Sequence, residues 1–314
     1  PHYYSQSKFI RTALDLLRNF FSKLLVMGNI CIIGPRQSGK TTYLAALAYL
    51  PELQLKTTGK SPFKITALGE DGKKLSENAE NILTEGLRFE TTIVGDKIKT
   101  IEDLPFYSFK LEAKHSKFQK TKEIYLTVRD YPGEVFHEII NPNIETMVHK
   151  EFIEECLAKD VTGCLILFTG LEKGADKFYR SVMTRFLELM DVHERTNNLR
   201  LAIAISKCER GEIWPGRIDP ETDLFGVHLP RTLHLLREAI HPKNLKFYAT
   251  SAFGVLHRND PRPNRQLVDS EDDNKKSKDS NNQGVSKKEA SILRQSENWR
   301  PYNLIEPLYW LSQG

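Results

Sequence analysis

Eight residues, Gly34-Pro35-Arg36-Gln37-Ser38-Gly39-Lys40-Thr41, constrain this chain more than any others. They follow a short apolar run, Asn29–Ile33, and precede a segment in which Lys40, Thr42, Leu44, Ala45, Leu47 and Leu50 fall at helical spacing. Pro51 is expected to break that helix. The order is therefore strand, glycine turn, helix, and a chain built on such a unit is expected to place further strands beside the first.

The run satisfies G-x-x-x-x-G-K-[ST] in the context that gives the pattern its meaning. Glycine lets backbone N–H groups turn inward around a phosphate, and a helix N-terminus adds a favourable dipole. The candidate cradle comprises Gly34, Pro35, Arg36, Gln37, Ser38, Gly39, Lys40, Thr41 and Thr42. Lys40 can reach β- and γ-phosphates, and the Thr41 hydroxyl can ligate Mg²⁺. Arg36 can fold over the phosphates as a finger in cis or point to solvent.

Beyond the loop, Phe106–Lys114 and Glu123–Arg129 alternate as strands around a lysine-rich turn, which implies antiparallel pairing. Val161–Phe168 and Leu201–Ser206 are continuous apolar runs, the mark of strands covered on both faces. Helical patterns at Asp176–His193 and Leu229–Ile240 intervene, and Leu245–Thr250 reads as a last strand. The expected fold is α/β, a P-loop NTPase with a mainly parallel sheet, one antiparallel strand and helices on both faces. Residues 1–28 read as an amphipathic helix and 29–256 as the main domain. A polar switch-region insertion is expected at 51–105, with a helix near Lys74–Leu87. Residues 257–297, centred on SEDDNKKSKDSNNQG, carry hardly an apolar side chain and read as a disordered insertion. Residues 298–314 should return as a helix packed on the domain.

Forty-five Lys and Arg against 41 Asp and Glu leave a net charge of +4, too small for an electrostatic footprint on nucleic acid. Cys31, Cys156, Cys164 and Cys208 form no CxxC or Cys/His pattern and read as reduced, buried thiols. No stretch is long and apolar enough to span a bilayer, and the start lacks a signal peptide, so a cytoplasmic protein is expected. The chain begins at Pro1, as a piece of a longer one would. The basic, apolar-striped first helix fits a membrane surface, but packing on the domain itself or against a neighbouring domain is favoured, and a protein effector or neighbouring domain is the expected partner.

Ile124–Val128 leads into Asp130-Tyr131-Pro132-Gly133-Glu134. At a strand end beside a phosphate loop, Asp130 can hold Mg²⁺ through water and Gly133 can offer its N–H to a γ-phosphate. Read alone, D-x-x-G is a common turn.

These segments, with Ser206-Lys207-Cys208-Glu209 and Thr250-Ser251-Ala252 after later strands, resemble the GTPases of the translation-factor-related (TRAFAC) class over roughly Ile30–Gly254. GKTTYLAAL, D-x-P-G-E and NLIEPLYWL are similar to bacterial double-GTPase-type domains. The resemblance implies a guanine nucleotide, GTP or GDP, with Mg²⁺. Lys207 would lie along the base, Glu209 would accept from guanine N1 and its exocyclic amine, and the Ser251 and Ala252 backbone would meet the guanine carbonyl. The family pattern is Asn or Thr, Lys, any residue, Asp, from which Ser206 and Glu209 depart. Thr91 or Thr92, with Thr92 favoured, would complete the Mg²⁺ shell. Glu134 stands where many relatives orient water with Gln; it can accept from water but not donate, or it can simply start a helix. Three functions stay open: a GTP-hydrolysing switch, an ATPase of the same architecture, and a non-hydrolysing nucleotide scaffold.

Overall fold

The computed structural model describes residues 29–35, 37–61, 63–87, 104–113, 122–129, 131, 133–140, 147–169, 171–269 and 289–313. The expected first helix, Arg36, Thr91, Thr92 and Asp130 lie outside the described residues. The main strands are β1 (Asn29–Ile33), β2 (Phe63–Leu68), β3 (Phe106–Ala113), β4 (Lys122–Arg129), β5 (Val161–Phe168), β6 (Arg200–Ile205) and β7 (Leu245–Ala249). They form one sheet in the order β2-β3-β4-β1-β5-β6-β7. Pairing is antiparallel at β2–β3 and β3–β4 and parallel at each other junction, so β3 alone runs against the rest.

Residues on the central strands alternate between two cores. Ile33, Cys164, Ile166, Phe168, Leu201, Ile203 and Ile205 pack on one face, under α4 (Gly133–Glu138), α5 (Met147–Cys156), α6 (Ala175–Val192) and α7 (Pro230–Ala239). Ile30, Ile32, Leu165, Leu167, Ala202 and Ala204 pack on the other, under α1 (Lys40–Thr58), α2 (Glu70–Glu77), α3 (Ala79–Thr84) and the closing α8 (Glu306–Leu311). Apolar side chains on both sides of a strand can be buried only by helices on both faces, as the continuous apolar runs require. This is the P-loop NTPase architecture expected from the sequence. No helix among the described residues is long and apolar enough to cross a membrane.

Three expectations need correction. Helix α1 does not stop at Pro51 but continues to Thr58. A helix tolerates the proline φ at the cost of one N–H bond, and buried Leu47 and Tyr49 keep the helix on the core. The helix expected near Lys74–Leu87 is two helices broken at Asn78, whose side-chain amide donates to the Lys74 carbonyl at 2.8 Å and competes with the helical ladder. The segment 51–105 is also less irregular than expected, because β2 adds an edge strand registered Ile65 to Leu111.

The third correction concerns 257–297. Its ends form strands: β8 (Val255–His257) pairs β9 (Asp260–Pro263), and β10 (Arg265–Asp269) pairs β11 (Glu289–Leu293), each antiparallel. Asn264, 0% exposed, holds the ribbon together: its amide donates to the Gln295 carbonyl at 2.9 Å and its oxygen accepts the Gln295 N–H at 2.8 Å. Ala290, Ile292 and Leu293 are buried, and Ala290, Ile292 and Val268 crowd Gly86 after α3. Backbone pairing and one buried amide thus do work that composition does not display. Residues 270–288 lie outside those described.

Candidate functional site

Because β4, β1, β6 and β7 run parallel, the segments that follow them open along the same sheet edge. That edge collects the expected phosphate loop, the segment after Arg129, Ser206–Glu209 and Thr250–Ala252. Ligands of open α/β sheets settle at such carboxyl ends.

Gly34 leaves β1 where no side chain fits: a Cβ there would lie 2.6 Å from the Leu167 carbonyl oxygen and 2.8 Å from the Ser38 hydroxyl. The loop turns through Gln37 and Gly39, both at positive φ, before α1 begins at Lys40. Lys40 is 8% exposed, and its ammonium donates to the Gly34 carbonyl at 2.9 Å and the Pro35 carbonyl at 3.4 Å. It folds back over the loop. Thr41 and Thr42 follow in the first helical turn. Ser38 is fully buried, and its hydroxyl has no hydrogen-bond partner among the described residues.

Lys207, at φ +58, crosses to this loop, and its ammonium donates to the Gln37 carbonyl at 2.6 Å. Burial, then the neighbouring Arg210 and Arg265 cations, depress its ammonium to about 8. Ser206 is spent at home: its hydroxyl and its N–H both bond the Phe168 carbonyl, at 2.9 and 2.8 Å. Glu209 is 1% exposed, and neither carboxylate oxygen meets a donor at hydrogen-bonding geometry among the described residues. Burial raises its pKa; the nearby Ser251 hydroxyl and Glu209's own backbone N–H, short of full bonding geometry, and then the Arg265 and Lys207 cations temper the rise without reversing it. A buried carboxylate with empty acceptor positions is costly unless donors arrive.

The loop after β7 is braced by the end of the chain. Ser251 and Tyr302 exchange backbone bonds at 3.0 and 2.8 Å, which commits the Ser251 N–H elsewhere than to a ligand. Trp299 donates through Nε1 to the Ala252 carbonyl at 2.7 Å and stacks on Tyr49 of α1, leaving the Ala252 N–H without an acceptor among the described residues. Of the two backbone N–H groups expected to meet a base carbonyl, that of Ser251 is thus already taken within the protein. Gly254, φ +68, passes under the Arg300 carbonyl, 2.0 Å from where a Cβ would sit.

On the other side of the loop, Arg129 and Tyr131 flank Asp130. Arg129 pairs with Glu155 of α5 at 2.9–3.2 Å, and the Tyr131 hydroxyl donates to the same carboxylate at 2.5 Å. Burial and the Glu155 charge push the Tyr131 phenol up. Gly133 and Glu134 form the first turn of α4.

Sequence reading gave Glu155, Trp299 and Arg265 no role, and Tyr302 only one in packing the closing segment on the domain. The aromatic pair carried a signal, since Trp299 and Tyr302 return after a long polar stretch. Glu155 and Arg265 carried none.

No protein-family model matches the chain, and no curated protein matches it. Among solved structures it is similar to the signal recognition particle receptor SRb-GTP/SRX complex of Chaetomium thermophilum, at 12% identity and TM-score 0.37, over 73% of this chain and 92% of that one. It is also similar to the S. cerevisiae Ski7 GTPase-like domain bound to GDP and inorganic phosphate, at 12% identity and TM-score 0.37, over 78% of this chain and 47% of that one. A third is elongation factor SelB of Methanococcus maripaludis in complex with GppNHp, at 13% identity and TM-score 0.30, over 72% of this chain and 30% of that one. The chain thus spans less than half of the latter two, and their nucleotides belong to them; what this chain binds has to be read from its own residues.

Proposed function

We propose that the chain is a guanine-nucleotide-binding switch that hydrolyses GTP. The observation that carries this reading is the buried Glu209 carboxylate with open acceptor positions, beside a lysine already tied to the phosphate loop. Guanine offers two adjacent donors, N1–H and the exocyclic amine, and could satisfy both oxygens at once. Adenine has no such pair on that edge. The Ala252 N–H, which meets no acceptor among the described residues, supports a carbonyl acceptor nearby, which guanine also supplies.

The loop amides and Lys40 would hold the phosphates, and Thr41, Asp130 and Thr92 or Thr91 would hold Mg²⁺. Mg²⁺ held by those residues would supply neutralisation of the phosphate charge, while the loop amides and Lys40 orient the γ-phosphoryl group for transfer to water. Glu134 would accept a hydrogen bond from the attacking water. A protein effector or neighbouring domain would sense the ordered segments, and a cytoplasmic setting fits the free thiols.

The deciding experiment is a titration of the protein with fluorescent GTP, GDP and ATP in Mg²⁺. Tight GTP and GDP with weak ATP supports the proposal. ATP competing as well as GTP makes the chain an ATP-binding relative, and binding without phosphate release leaves a scaffold.

A further inference from the structure

Three of the four cysteines, scattered in sequence, meet under α5. Cys31 on β1 is the cross-strand partner of Cys164 on β5. The Cys164 sulfur lies 3.6 Å from the Cys156 carbonyl oxygen and the Cys31 sulfur 4.0 Å from the Glu155 carbonyl oxygen, so both reach the last turn of α5. All are free thiols; Cys156 and Cys164 are buried, and Cys31 is partly exposed. The three side chains belong to the same core face.

The roles within the cluster are unequal. Hydrogen bonds from Cys156 and Cys164 favour the Cys31 thiolate and pull its pKa below that of a free thiol, outweighing burial and the Glu155 and Asp160 carboxylates. Burial and the Cys31 charge push the other two up. A partly exposed thiolate flanked by protonated thiols is the arrangement of an oxidisable cysteine with a resolving partner. Core packing alone needs none of it.

We propose that Cys31 is an oxidant-sensitive thiol that closes a disulfide onto Cys156. The Cys31 thiolate attacks one oxygen of hydrogen peroxide, the O–O bond breaks, and the departing hydroxide takes up a proton as water. The sulfenic acid left behind is attacked by the Cys156 sulfur. The S–S bond forms, the S–O bond breaks, and the leaving hydroxide departs with the Cys156 proton as a second water. Two thiols supply two electrons and one peroxide becomes two waters. Cys156 is the resolving partner because its side chain meets that of Cys31 and it ends a helix, whose last turn can move to meet the geometry a disulfide needs. Cys164 is held in mid-sheet by strands on both sides.

Cys156 also adjoins Glu155, which holds the residues on either side of Asp130. Closing the disulfide would pull on that carboxylate; this consequence rests on the proposed function, whereas the disulfide does not.

The test treats the whole chain with graded hydrogen peroxide, quenches with N-ethylmaleimide and maps peptides by mass spectrometry without reduction. The expected product is a Cys31–Cys156 linked peptide, two hydrogens lighter and reversed by dithiothreitol, with maleimide labelling of Cys31 reduced at least about tenfold. Cys164→Ser keeps the link, and Cys156→Ser leaves a Cys31 sulfenic acid that dimedone traps. A link excluding Cys31 or Cys156, sulfinic acid on Cys31 without a link, or Cys31 still alkylated in full overturns the proposal. Should Cys156→Ser fail to fold, the peptide map of the parent chain decides alone.

Discussion

Lys207 and Gln37, 170 residues apart, are joined by a 2.6 Å hydrogen bond from the lysine ammonium to the backbone carbonyl. The bond ties the loop after β6 to the loop after β1, across the intervening β5. A side chain expected only to line a base also fixes the shape of the phosphate cradle.

Lys207 should therefore give nucleotide affinity a pH dependence. Its ammonium is depressed to about 8, and an anionic ligand beside it favours the charged form and raises that value. Affinity should fall as pH rises through 8, by about tenfold between pH 7 and 9. Titrations at both pH values check this, and Lys207→Met should be weaker but flat; a parent with a flat profile removes the role.

Lys40→Ala should abolish nucleotide binding, by about 100-fold or more, since it deletes the buried cation among the loop dipoles. Affinity within a factor of a few of the parent would mean that phosphates do not bind in this loop.

Glu209→Gln should cost GTP at least about tenfold and leave ATP unchanged, because an amide cannot accept at both positions. The same variant should gain stability without ligand. An acid whose folded pKa is raised destabilises the fold as pH climbs above its unfolded value near 4.3, and removing the charge relieves that penalty at pH 7. Thermal melts should show a gain of a few degrees at pH 7 that disappears near pH 4.

Asn264→Ala removes both bonds to Gln295 from a site with no solvent exposure and should cost about 2–3 kcal/mol. Denaturant midpoints measure it. An unchanged midpoint would show that the β10–β11 ribbon contributes nothing to the folded domain.

Asp130→Ala and Glu134→Ala should separate. The first should damage Mg²⁺-dependent binding together with turnover, the second should spare binding and slow hydrolysis by about tenfold or more. Phosphate-release assays distinguish them; parent-like turnover in Glu134→Ala would make that residue a helix start.

Much of the fold was legible because β5 and β6 are apolar on both sides, which admits few arrangements. Strand β2 was not, since Lys64 and Thr66 alternate with modest apolar residues at an exposed edge, and its pairing with β3 supplies what its side chains do not. In the site, Gly34 to Thr42 could be read locally because a phosphate loop is contiguous. Glu155 could not: its meaning comes from Arg129 and Tyr131, which only the packing of α5 against β4 brings to it. Residues 257–295 misled because composition reports apolar burial and is silent about a buried asparagine.

The brace at Trp299–Tyr302 sets an order of events during synthesis. Ser251, Ala252 and Gly254 take their conformations against residues 299–302, and the Tyr43 hydroxyl on α1 donates to the Leu304 carbonyl. A nascent chain still lacking those residues holds a finished phosphate-loop sequence and an unfinished base side. The loop after β7 is therefore completed later than the loop after β1, once residues 299–304 have folded against it.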